Sequence, residues 1–223
     1  MRAHVTSTRV KLAVSLGVLL AALAWSRAAV AQVAEPIGLF VADARGALVS
    51  YPDGDDVATP RGLTGADLPS RGFGVQLGGH VFLLRGRIAT LGIGGSLLWS
   101  RGSKSPEENE DGTATGTAAT TRMTAFSPQV SFNFGSGAGW SYASVGFGAA
   151  KRSISPTADA SPEPGSWAPA LDVGGGARWF ITDHVGVSFD LRFYSVAAQE
   201  PGADTAGFPR TTKFVGTAGL SFK

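Results

Sequence analysis

The residues of this chain that could carry chemistry are few and far apart. Acyl transfer needs a nucleophilic hydroxyl, a base within hydrogen-bond reach and a group that stabilises the oxyanion. Beyond His4 the only histidines are His80 and His184, and neither lies in a His-x-Ser pattern. His80 has Gln76 and Gly78 as same-face neighbours in a predicted strand, and His184 falls in a predicted short turn. The absence of cysteine excludes a disulfide scaffold, a thiolate metal site and a cysteine nucleophile, and two separated histidines give no zinc-ligand spacing. Glu107, Glu108, Glu110 and Asp111 could bridge a divalent cation, but runs of this kind are ordinarily solvated loop tips. Asp53, Asp55 and Asp56 around Gly54 lack the terminal Glu of a calcium loop. The sequence therefore predicts no catalytic residue, no metal site and no cofactor. What remains is a set of polar side chains set singly into apolar runs: Asp43, Arg45, Gln76, His80, Gln129, Asp172, Arg178, Asp190, Arg192 and Lys213.

The elements that must position them begin after an export signal. Arg2, His4, Arg9 and Lys11 form a positive n-region, residues 12–25 an apolar stretch, and Ala29-Val30-Ala31 a small-x-small cleavage site. That apolar stretch is short of the roughly twenty residues a spanning helix needs. Residues 1–31 are thus read as a signal peptide and 32–223 as one domain. Arg2, Arg9, Lys11 and Arg27 leave with the signal and no acidic residue does, so the formal charge moves from +2 to −2. No basic stripe then remains to argue for nucleic acid.

From residue 36 onward the apolar residues recur with period two, the signature of half-buried strands. Strands are predicted at about 36–49, 71–85, 88–100, a fourth around 126–134, 140–150, 167–181, a seventh from 185 and an eighth around 213–222. Phe126, Val130, Phe132 and Phe134 alternate cleanly with Ser127, Gln129, Ser131 and Asn133. Short turns, such as 85–87 and 182–184, alternate with long polar connections, including 101–120, 151–166 and 197–209. All the long connections therefore fall at one end of an even-stranded barrel and both ends of the chain at the other.

Period two does not say which face meets water. Strands of eleven to fifteen residues suit a tilted bilayer crossing better than a soluble sheet. The polar faces are rich in Gly, Ser and Thr, as a narrow lumen requires, and Gly stands at 31 of 223 residues, about twice its usual share. Trp99, Trp140, Tyr142, Trp167, Trp179 and Phe180 lie near predicted strand ends, where aromatic girdles belong. With no helical span predicted, the chain can cross hydrocarbon only as a closed barrel. The ten polar residues would then face the lumen, as an ion-pair network or as the lining of a narrow path for ions or small solutes.

The rhythm of short turns and long loops, the stretch LDVGGGARWFITDHVGVSFDLRFY over residues 171–194 and a final strand ending in Phe222 resemble the small outer-membrane barrels of the OmpA/OmpX type. That resemblance implies an all-β, eight-stranded, antiparallel up-and-down transmembrane β-barrel in the bacterial outer membrane, with outer-membrane lipid and lipopolysaccharide around it. It also implies recognition of the C-terminal strand by the barrel assembly machinery, with Lys223 standing where many such proteins end on an aromatic residue, and a monomer that binds no nucleic acid. A structural or surface-interaction role is the first expectation, a narrow channel the second and a lipid-modifying enzyme the third.

Overall fold

A computed structural model describes residues 35–223 apart from 52–53, 109–110, 112–113, 157–164 and 203–204, with residues 107, 108, 114 and 115 described in backbone only. The signal-peptide expectation, Asp53 and Glu110 lie outside the described residues.

Eight antiparallel strands close on themselves: β1 (Phe40–Ser50), β2 (Arg71–Arg85), β3 (Thr90–Lys104), β4 (Ala119–Ser136), β5 (Gly139–Ser155), β6 (Trp167–Phe180), β7 (Val185–Val196) and β8 (Thr211–Phe222). Each strand pairs with its chain neighbours, and β1 closes the ring on β8 through Ala42 opposite Phe222. Closure leaves no edge, so every strand has partners on both sides. Connections of a few residues (86–89, 137–138 and 181–184) mark the turn end, and 51–70, 105–118, 156–166 and 197–210 mark the loop end.

Alternation sets the two faces. Leu48, Phe73, Val75, Val81, Phe126, Phe132, Phe147, Leu171, Phe189, Leu191 and Phe193 point outward and are exposed, whereas the polar set points inward and is buried. A water-soluble barrel would bury the first set and expose the second; here the order is inverted, as a hydrocarbon environment requires. No helix among the described residues is long and apolar enough to cross a membrane; the crossing is made by strands.

Several strands run further than their periodicity predicts. β3 and β4 stay paired from Thr90 opposite Asn133 out to Lys104 opposite Ala119, so residues 101–104 are strand and not loop. Likewise 151–155 continue β5 and pair with 120–124 of β4. The outward apolar run ends at the hydrocarbon boundary, but backbone pairing does not need apolar side chains and carries on beyond it. β1 starts at Phe40 rather than at Pro36, whose ring nitrogen has no hydrogen to donate to a ladder. The register of β2 against β3 slips between Phe82 and Leu84, which lets Phe82 point inward while Leu83 and Leu84 both face outward.

The lumen is layered. At the turn end Ile37, Val41, Phe82, Trp140 and Tyr142 form an apolar cluster against Phe180. Trp140 packs edge-on to Phe82, with ring centroids 5.8 Å apart, and stacks on Phe180 at 5.0 Å. This corrects the expectation of an outward girdle at Trp140, Tyr142 and Phe180: the first two share the inward parity of Ser144, and Phe180 that of Arg178. Trp99, Trp167 and Trp179 do face outward.

Above the polar midsection, the loop-end half of the lumen is also apolar, filled by Val49, Tyr51, Leu98, Met123, Tyr194, Val196 and Val215 with several alanines. The connection 51–70 then folds over it as a short helix, Asp55–Ala58, and two 3-10 turns. Val57, Leu63 and Leu68 of this connection form a second core with Ala119, Ile154 and Phe208. Because Leu98 is completely buried in the apolar layer, Leu98→Ala is expected to cost about 2–5 kcal/mol through lost contacts and a residual cavity. Urea unfolding of the barrel in lipid vesicles measures this, and a cost below about 1 kcal/mol would mean that the layer is not tightly packed.

Candidate functional site

The midsection of the lumen is where the polar residues converge. In an eight-stranded barrel the interior is just wide enough for side chains to fill, so inward charges on opposite walls come within bonding distance. All ten of the residues singled out from the sequence are buried in the lumen, and eight of them join the midsection network.

Asp43 of β1 anchors one half. Arg178 of β6, three strands away around the ring, grips it with two hydrogen bonds across the lumen, Nε to Oδ1 at 3.0 Å and Nη2 to Oδ2 at 2.7 Å. Such a fork-to-fork pair is the strongest hydrogen-bonded geometry available to two side chains. Ser221 adds a hydrogen bond to Oδ1 at 2.6 Å, and Arg45 Nη2 lies 2.8 Å from the same oxygen. Arg45 also donates to Ser188 and to the Gln76 carbonyl oxygen.

Arg192 organises the other half. Its guanidinium bridges Asp190, through Nε at 3.1 Å and Nη2 at 3.0 Å, to Asp172, and donates to Ser144 Oγ at 2.8 Å. Asp172 further accepts from Ser127 and from Gln129 Nε2, the latter at 2.9 Å. Gln129 reaches Ser96 at 3.0 Å. Tyr142 joins the halves: its hydroxyl donates to Asp190 at 2.7 Å, and the Arg178 guanidinium lies 4.1 Å over its ring. Every one of the eight strands contributes at least one member.

Two of the predicted residues sit apart. Lys213 lies toward the loop end, its Nζ 4.9 Å over the Tyr51 ring. His80 is buried opposite Gly94, yet neither ring nitrogen has a hydrogen-bond partner among the described residues. Sequence reasoning missed Tyr142 as the joint and the serines as bridging donors. The inward parity of Tyr142 with Ser144 was the available signal.

The arrangement can hold charge but shows little means to move it. Ser127 contacts a carboxylate, with no histidine beside it, and His184 is exposed in the turn after β6. No group of three or more acidic, histidine or cysteine side chains able to hold a metal occurs among the described residues.

At the loop end, two guanidinium groups lie over the Phe208 ring, Arg61 at 4.2 Å and Arg152 at 4.6 Å from its centre. Arg61 donates to the Gly207 carbonyl, and Arg152 to those of Ala197 and Pro209. These contacts fix connection 197–210 onto 51–70. Asp67 ties the second connection in: it accepts from the Thr117 N–H at 2.8 Å and from the Thr64 N–H and hydroxyl. Those hydrogen bonds, with the Thr117 N–H first, hold its carboxyl down at about 2.

No family model matches the chain, and no curated protein matches it. Among solved structures, Neisserial surface protein A (NspA) superimposes with a TM-score of 0.51 at 12% identity, over 83% of this chain and 97% of that one. The chain thus has the fold of a small eight-stranded antiparallel β-barrel of the kind that NspA adopts. Ail of Yersinia pestis, solved with the heparin analogue sucrose octasulfate, gives 0.45 at 13% identity over 82% of this chain and 95% of that one. The N-terminal barrel domain of Pseudomonas aeruginosa OprF gives 0.43 at 12%, over 82% and 96%.

Asp43→Ala leaves Arg178 buried without its carboxylate and is expected to cost about 3–5 kcal/mol. A double-mutant cycle with Arg178→Met in vesicle-based urea unfolding would recover much of that loss if the pair is coupled, and additive costs would show that it is not. The depressed Asp67 carboxyl makes its tie present above the usual carboxylate range near pH 4 and lost only as pH falls through about 2. The carboxyl carbon shift of Asp67, followed by NMR in detergent micelles, should titrate near 2; a midpoint near 4 would show that the loop hydrogen bonds do not persist in solution.

Proposed function

We propose that the barrel is a sealed outer-membrane scaffold whose role is structural or lies in surface contact. In this reading the short turns face the periplasm and the four long connections 51–70, 105–118, 156–166 and 197–210 face the exterior. The observation that carries it is the filled lumen. Aromatic side chains close the turn end, the Asp43–Arg178 and Arg192–Asp172–Asp190 pairs occupy the middle, an apolar layer follows, and connection 51–70 packs over the mouth.

A conducting path would need mobile or hydrated charges along the lumen. Here the carboxylates and guanidinium groups neutralise one another directly, and an apolar layer lies between them and the loop end. The lumenal residues on this reading act as a brace that locks opposite walls, and binding belongs to the loops, which a rigid scaffold holds in place. β8, ending in Phe222, is the segment offered to the assembly machinery, and the closed sheet leaves no edge that would call for a partner chain.

Planar bilayers containing the purified protein are expected to show no unitary current steps. Steps whose size changes with Arg192→Ala or Asp190→Ala would instead assign the lumen to conduction, and a changed lipid A acylation pattern on overexpression would point to an enzyme.

A further inference from the structure

The outer wall carries a feature that neither the lumen nor the loops explain. Arg71, Arg101, Arg122 and Lys151 lie at the loop ends of four consecutive strands, β2 to β5. Each shares the outward parity of a lipid-facing residue two to four positions away: Phe73, Trp99, Phe126 and Ala149. Arg101 and Arg122 stand directly opposite one another in the β3–β4 register. Lys151 pairs with Thr124, one step diagonal from Arg122, and Arg101 pairs with Phe73, one step diagonal from Arg71. Like charges placed directly opposite on a sheet destabilise it. None of the four is in ion-pair contact with an acidic side chain among the described residues; Arg122 Nη1 lies 3.5 Å from Ser155 Oγ. A stripe of unneutralised cations at this height, with Trp99 and Trp167 exposed beside it, is complementary to an anionic headgroup.

The same wall is indented further down. The β4–β5 ladder has one register throughout, yet its pairing lapses at Ser127 and Pro128, because a proline has no N–H to give. Pro128 is exposed, and with Gly95 opposite it in β3 it leaves little side-chain bulk on that part of the wall. A groove of about 400 Å³ follows, walled by Ile93, Val130, Val145, Phe147 and Leu171. From Arg122 to Pro128 is six residues, about 20 Å along a strand at ~3.4 Å per residue and about 14 Å of depth at a tilt of about 45°. One leaflet of hydrocarbon is about 15 Å thick. The groove thus lies where the tail of a lipid would end if its headgroup sat at the cationic stripe.

We propose that the β3–β5 wall is a binding site for one phosphorylated, multiply acylated lipid of the outer leaflet, its phosphate bridging Arg101 and Arg122 and an acyl chain lying toward the Pro128 groove. The proposal rests on the loop-outward orientation given under Proposed function. The phosphate relieves the Arg–Arg repulsion with charge-assisted hydrogen bonds, and the groove adds shape selection for the tail. Arg71 and Lys151 flank the bridge and suit a second phosphate or a sugar carboxylate.

Native mass spectrometry of the detergent-solubilised protein titrated with lipid A tests this. Wild type is expected to retain one lipid A, and Arg101→Gln with Arg122→Gln to weaken retention by about tenfold or more, the loss of at least one charge-assisted contact. Dephosphorylated lipid A should bind wild type no better than lipid A binds the double variant, and Val145→Trp, which fills the groove and leaves the cations in place, should weaken lipid A on its own. Equal retention by wild type and the double variant would overturn the site. Displacement of lipid A by millimolar inorganic phosphate would make it a site for soluble anions and overturn the lipid assignment. Should the double variant not fold, Arg71→Gln with Lys151→Gln gives the same reading with a smaller expected loss. Heat-dependent gel mobility separates the levels: a wild type without a heat shift would refute the barrel itself, and loops that added protease cleaves only after the outer membrane is permeabilised, and not in intact cells, would refute the orientation beneath the proposal.

Discussion

The constraint on which the rest of this structure depends is that a backbone in hydrocarbon has no water to bond to. Each N–H and C=O must find a partner within the sheet, and a sheet has no unpaired edge only when it closes. The pairing of Ala42 with Phe222 therefore conditions everything else. Once eight strands close, their number sets the bore, and the bore is too narrow for unaccompanied inward side chains. Charges pointing inward must then meet charges from the opposite wall or stay buried at a cost of several kcal/mol each. Asp43 and Arg178 are 135 residues apart in sequence and share two hydrogen bonds because closure puts β1 and β6 across the lumen from one another.

The same constraint explains why the interior is layered rather than uniformly polar. Outward residues have one environment along the hydrocarbon depth and are monotonously apolar. Inward residues meet only each other, and either a matched polar set or an apolar set can fill the space. The protein uses both: a hydrogen-bonded midsection braces the wall in all directions, and apolar layers above and below exclude water from it. Most of this midsection is hydrogen-bonded, although both His80 ring nitrogens and Arg45 Nη2 lack a hydrogen-bond partner among the described residues, and each bond made lowers the cost of burying the groups it joins. Tyr142 fits this need, with its hydroxyl on Asp190 and its ring under the Arg178 guanidinium.

Most of this was legible in the sequence because parity is a strict rule. Period two assigned Asp43, Arg45, Gln76, Asp172, Arg178, Asp190 and Arg192 to one face without reference to any partner. Where position along a strand was preferred to parity, the reading failed: Trp140 and Tyr142 lie near a strand end, which suggests a girdle, but their parity with Ser144 puts them inside. The extension of β3, β4 and β5 past the bilayer was not legible, since residues such as Ser103, Thr120 and Ser153 look like loop and are held in strand by the ladder, with a hydroxyl hydrogen bond between Ser103 and Thr120. Which arginine meets which aspartate was also out of reach, because it depends on the stagger of the closed sheet and not on spacing within one strand. Nothing in the composition of 51–70 announces that Val57, Leu63 and Leu68 find a core with Ile154 and Phe208, because those partners come from strand and loop far along the chain.

That last cluster bears on where function can reside. If the barrel is a sealed scaffold, as proposed, its filled interior serves stability, and the outer wall and the loop end are left for contacts with other molecules. Loops that merely connect strands would pay a large ordering cost on binding. Here three of the four connections are already tied together, by the Val57–Phe208 core, by Arg61 and Arg152 over the Phe208 ring, and by Asp67 reaching Thr117. The described part of the loop end is therefore a folded surface continuous with the barrel rather than a set of independent strands of coil. A partner that docks on it would meet a shape fixed in advance, so that the rigidity imposed by hydrocarbon on the wall is carried, through buried side chains, into the part of the molecule that lies outside the bilayer.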